Sequence, residues 1–189
     1  MKNVKNTLIG LYFNLFMVVL SLILLLRGLI HGNTGNWLKW ILVFALISSE
    51  ILNIVFAGIN TVNSFILFKN SDYNSMRKNM KALKFGVIPY FVINFIIYGL
   101  LFLLFFAASR GLILFTPIPF LFLIPVFFAY LTVIFTSSYG LGFSLILYKE
   151  KMISTGKLVL HIILQLCFVL DVLDTIILLA KNKTVKISG

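Results

Sequence analysis

Glu50, Asp171 and Asp174, three of only five acidic residues in a chain of 189, stand inside long apolar runs. A carboxylate in such surroundings has two uses. It can carry a proton or a cation along a polar path, or it can pair with a neighbour and hold helices together, because an unpaired charge in hydrocarbon is costly. Asn53, three residues beyond Glu50, faces much the same way, and Asn94 reaches a similar depth from another run. His161 and Gln165 are one turn apart and share a face, while Asp171 and Asp174 share a different face of the same run. On an unbroken helix His161 and Asp171 would stand about 80° and about 15 Å apart, too far to form one dyad or bind one metal ion. Glu50, Asn53, Asn94, His161, Asp171 and Asp174 therefore read as an elongated polar path. Arg27 and Arg110 are the cations expected to pair with the two aspartates.

Other chemistry is sparse. No HExxH stretch is present, and the lone Cys167 offers neither a disulfide nor zinc spacing, so no metal or cofactor is expected. Ser154-Thr155-Gly156-Lys157 echoes the end of a phosphate loop, but the upstream glycine is missing and Leu158 stands where Ser or Thr is required. Ser137 or Ser138 with His161 would make a weak nucleophile–base pair, without the surrounding elbow that presents such a serine. Ser138 and Gly142, four apart, form a small-residue face against which another helix can pack closely.

The elements that must position these groups are membrane spans. Hydrophobic residues make up 61% of the chain and charged residues 11%, and the apolar stretches are continuous rather than alternating, which excludes an ordinary soluble domain and a β-barrel. The chain reads as one domain, 1–189, an all-α polytopic transmembrane helical bundle. Five spans are expected, at about 8–29, 38–60, 86–108, 118–147 and 158–180, each near the roughly 20 residues that a crossing helix needs. Pro117, Pro119 and Pro125, with Ser137, Ser138, Gly140 and Gly142, leave open a sixth span, in which 111–148 forms a hairpin. The first run is too long for a signal peptide and no small-residue cleavage pattern follows it, so a retained span is expected.

Basic residues set the orientation. Lys2 and Lys5, the loop with Lys69, Arg77, Lys78, Lys81 and Lys84, and the loop with Lys149, Lys151 and Lys157 fall on one side, which the positive-inside rule makes cytoplasmic. Trp37 and Trp40 mark the opposite interface. Five spans, however, put Lys181, Lys183 and Lys186 outside, so either 111–148 is a hairpin or the last helix does not fully cross. Met76, Met80 and Leu83 recur at helical spacing, and Arg77, Lys78, Lys81 and Lys84 occupy other faces. Residues 71–84 are thus expected to form a short interfacial helix drawn to anionic lipid headgroups of the inner leaflet, or a docking helix for a partner such as an ATPase subunit. The net charge of +11 needs no nucleic acid to explain it, because the charge flanks spans.

In its abundance of Ile, Phe, Asn and Lys, and in the Thr136-Ser137-Ser138-Tyr139 and Asp171-Val172-Leu173-Asp174 stretches, the chain resembles uncharacterised small multi-pass membrane proteins of low-GC Gram-positive bacteria. The resemblance implies a cell-membrane location and transfers no activity. Three functions fit the residues. The first is a non-enzymatic, transport-related component, either a carrier or an accessory subunit, with the buried carboxylates lining a path. The second is an interaction or immunity-type protein whose buried polar groups only hold the bundle together. The third is an intramembrane hydrolase.

Overall fold

The computed structural model describes residues 2–26, 33–167 and 170–181, and within them the regular structure is helical throughout. The order is α1 (Lys2–Leu26), α2 (Asn33–Lys69), α3 (Tyr73–Ala108), α4 (Ile118–Thr136), α5 (Ser138–Lys149), α6 (Thr155–Leu166) and α7 (Leu170–Lys181), with a 3-10 turn at Leu112–Phe115 between α3 and α4. Asp72 caps α3, its side chain accepting from the Ser75 amide at 3.0 Å. The preceding chain reverses through Ser71 at φ 51°, with the Asp72 amide returning to the Leu67 carbonyl.

Polarity runs inside out. On α2 the buried positions beyond Leu42 are Ser49, Asn53, Ala57, Asn60 and Ser64, small or polar residues three or four apart on one face. The opposite face exposes large apolar groups such as Phe44, 73% accessible, and on α3 Phe95 is 78% accessible. A bundle in water would reverse this pattern, whereas in lipid small residues let helix backbones approach and polar side chains bond across the contact. α1 runs antiparallel to α2, for Thr7 meets Asn60 and Asn14 meets Ser49. Lys149 reaches the Ser71 hydroxyl at 2.9 Å, and Arg77 reaches the Leu179 carbonyl at 3.2 Å. The N-terminus, both basic loops and the end of α7 therefore share one end of the bundle.

Among the described residues, four helical stretches are long and apolar enough to cross a membrane: Lys2–Leu24, Trp37–Lys69, Tyr73–Ala108 and Leu123–Lys149. The expected fifth span, 158–180, is instead two half-length helices. α6 ends where Cys167 turns extended, at φ −92° and ψ 127°, and α7 starts again at Leu170. Each has 12 residues, about 18 Å of helix against a hydrocarbon core of about 30 Å. The two are folded back on each other, since His161 and Gln165 of α6 both contact Asp174 of α7.

The region 111–148 is not a hairpin. Ser137 keeps right-handed helical angles between α4 and α5, with its amide on the Val133 carbonyl and its carbonyl accepting from Leu141, so the two helices continue as one rod. Pro117 and Pro119 stand at the start of α4, where the missing amide hydrogen costs little. The interfacial helix expected at 71–84 is likewise the opening of α3, which runs unbroken from Tyr73. Met76, Met80 and Leu83 are fully buried in the core with Phe143 and Leu147 of α5, so this segment is held by protein rather than laid on a surface. Close approach is possible because Gly142 has no side chain: a Cβ there would lie 2.7 Å from Met76 Cε.

Candidate functional site

The buried polar residues form two clusters, one on each side of the α4–α5 junction. The first is built on α1 and α2. The Asn14 amide donates to Ser49 Oγ at 2.8 Å and to Glu50 Oε1 at 3.0 Å. Asn53, one turn beyond Ser49, is only 7% accessible, yet neither its Nδ2 nor its Oδ1 has a hydrogen-bond partner among the described residues. Both Glu50 and Asn53 line a cavity of about 20 Å³, together with the hydroxyl-bearing Thr7, Thr132 and Thr136. That volume holds about one water molecule, which needs two to four polar partners. Below this cavity, Asn60 donates to Thr7, and the Tyr139 hydroxyl lies 3.0 Å from Asn60 Oδ1 and 2.9 Å from Asn63 Oδ1.

The second cluster joins α3, the α4–α5 junction and the C-terminal hairpin. Lys84 and Asp171 form a buried ion pair, each side chain 2% accessible. Lys84 Nζ also donates to Ser137 Oγ at 2.8 Å, and that hydroxyl lies 2.6 Å from the Gln165 carbonyl. Gln165 Nε2 donates to Asp174 Oδ2 at 2.8 Å and to Thr175 Oγ1 at 3.2 Å. His161 Nδ1 closes the set, 2.5 Å from Asp174 Oδ1. Gln165 fits because Gly140 lies beneath it; a Cβ at Gly140 would come 2.6 Å from Gln165 Cδ.

The six residues expected to form one path are thus divided. Glu50 and Asn53 share the cavity. Asn94 stands apart, its amide donating to the Tyr90 carbonyl one turn back on its own helix. His161 and Asp174, which an unbroken helix would keep apart, meet because the helix reverses between them. The expected cations also change. Asp171 takes Lys84, while Arg110 is exposed beyond the far end of α3, roughly 40 Å of helix away. Arg27 lies outside the described residues. Lys84 leaves the docking group assigned to it, because it follows Met80 by four residues and so lies only about 40° from that buried face. Arg77, Lys78 and Lys81 remain at the protein surface.

Asn14, Ser49 and Thr175 are site residues that the sequence reading did not single out, and Ser137 entered it as a nucleophile candidate rather than as a partner of Lys84; the spacing of Ser49, Asn53, Asn60 and Ser64 by four or seven residues was the signal available. Ser137 is fully buried against Lys84, and the buried Ser138 Oγ has no partner among the described residues, so neither serine hydroxyl is bonded to His161. Among the described residues no three His, Cys, Asp or Glu side chains group as a metal site would require.

No curated protein and no solved structure matches the chain. A family model described as a family of unknown function, DUF6652, matches residues 2–184. That span covers nearly the whole sequence, both polar clusters included, and the chain belongs to DUF6652.

Proposed function

We propose that the chain is a non-enzymatic, transport-related membrane component, a small carrier or the accessory subunit of one, in which Glu50 is the working group. The observation that carries this reading is the cavity of about 20 Å³ that Glu50 and Asn53 line together. A carboxylate with no cation beside it, an adjacent space for one water, and hydroxyls around that space are what a step in a proton or cation path requires. Thr136 lines this cavity and the next residue, Ser137, bonds Lys84, so buried polar groups continue from Glu50 toward Asp171, Asp174 and His161. In this reading the four spans put the N-terminus on the cytoplasmic side, and α6 and α7 enter from that side and return to it. The basic C-terminus then obeys the positive-inside rule.

The pairing of Asp171 and Asp174 favours the second reading, an interaction protein whose polar groups hold the bundle, for that half of the molecule. Charge removal at constant shape separates the two. In vesicles under an imposed potential, wild-type protein passes protons or alkali cations and folded Glu50→Gln does not. Flux unchanged in Glu50→Gln, or wild-type flux equal to that of empty vesicles, refutes the carrier and leaves the packing role.

A further inference from the structure

On the outside of the bundle, a groove of about 400 Å³ runs between the opening turns of α3 and the last turns of α7. One wall is a single stripe of α3, with Asn74, Arg77, Lys78 and Lys81 leading to Phe85. The other wall, from α7, is apolar, with Ile176, Leu179 and Ala180. No acidic residue lines it, so three cations face one space without a counter-charge.

Arg77 ties the two walls together. Its Nη2 donates to the Leu179 carbonyl at 3.2 Å, which fixes the guanidinium at the groove. Its buried Nε has no partner among the described residues. A positioned guanidinium beside two lysines is suited to a phosphate, which arginine can bind with two parallel hydrogen bonds. Phe85 lies four residues past Lys81, about 6 Å further along α3, and continues the groove as apolar surface.

We infer that this groove binds one anionic phospholipid from the leaflet at the basic end of the bundle, its phosphate among Arg77, Lys78 and Lys81 and an acyl chain along Phe85 and Ile176. A zwitterionic headgroup would bring a further cation into a site that already holds three. The lipid would join α3 to α7, and so would fasten the hairpin from outside as Lys84 and Asp171 fasten it from within.

The test uses full-length protein in nanodiscs of phosphatidylcholine with and without phosphatidylglycerol, counting retained lipid by native mass spectrometry after release into detergent. Wild type retains one phosphatidylglycerol per chain in preference to phosphatidylcholine. Lys81→Gln, at an exposed position whose change leaves the Arg77–Leu179 contact in place, weakens retention roughly fivefold, the effect of one cation near an anionic surface. Arg77→Gln weakens it more. Lys149→Gln, an exposed cation at the same end but outside the groove, leaves retention unchanged. Equal retention of the two lipids overturns the site, as does equal loss from Lys149→Gln and Lys81→Gln, which would mean diffuse surface attraction. Displacement of the lipid by inorganic phosphate alone would make the groove a phosphate site and overturn the lipid.

Discussion

Removing either partner of the Lys84–Asp171 pair should be far worse than removing both. Lys84→Met leaves a carboxylate with one oxygen, Asp171 Oδ1, already without a hydrogen-bond partner among the described residues, inside a bundle where both side chains are 2% accessible. Asp171→Leu removes the carboxylate bonded to the ammonium and leaves it the hydrogen bond to the Ser137 hydroxyl. Breaking a buried pair in this way costs about 3–5 kcal/mol, whereas replacing the pair by apolar residues of similar volume is often neutral or stabilising. The expected coupling energy is therefore on the order of 3 kcal/mol or more. An ordinary interhelical hydrogen bond in a membrane protein measures about 0.6 kcal/mol, and at most about 1.7. Reversible unfolding in mixed detergent micelles, followed by circular dichroism for wild type, both single variants and Lys84→Met/Asp171→Leu, gives the coupling directly. Singles that each cost less than about 1 kcal/mol and add in the double would mean that the pair is water-exposed or absent, and the account of the hairpin would fail with it.

The reversal between α6 and α7 makes a geometric prediction: Gln165→Cys/Thr175→Cys should cross-link through a short bifunctional thiol reagent, since the native side chains touch at 3.2 Å, whereas on a straight helix the two positions would be about 15 Å apart. Failure to cross-link in folded protein would restore the straight span. Gly140→Ala should lower stability by about 1–3 kcal/mol, the usual cost of overpacking, because its Cβ displaces Gln165 from Asp174. A thermal melt checks this, and a Gln165→Ala background should relieve most of it. Asp72→Ala should cost about 1 kcal/mol through loss of the α3 cap, with Asp72→Asn nearly silent in the same melt. A reporter fused after Gly189 should fall on the same side as one fused before Met1; opposite sides would refute the four-span arrangement.

Much of the scaffold was legible. Apolar run length located α1, α2, most of α3 and the α4–α5 rod, because an apolar run of span length specifies a helix wherever it lies. The reversal after α6 was not legible, since Gln165 to Leu170 contains no glycine or proline and reads as more apolar helix. It is held by pairs across the hairpin, His161 and Gln165 with Asp174, and pairs of that kind appear only when the partners are brought together. The one local hint was electrostatic: a straight fifth span left the terminal lysines on the disfavoured side. Lys84 was misread for a related reason. It follows a run of surface lysines, and position in the chain suggested a loop where the face it shares with Met80 decided its burial. Glu50 and Asn53 were found because two polar residues on one face of an apolar helix stand out without knowledge of any partner.

The Lys84–Asp171 pair also has a history during synthesis. Its members are 87 residues apart, so at about 5–20 residues per second the ribosome makes Lys84 roughly 4–17 s before its carboxylate exists. For that interval α3 carries a cation it cannot neutralise within the chain, which favours a shallow, waiting position until the hairpin arrives. The helices α6 and α7, made later, are thus the ones that permit α3 to settle, and a chain cut short before Asp171 would leave Lys84 without the carboxylate that pairs with it.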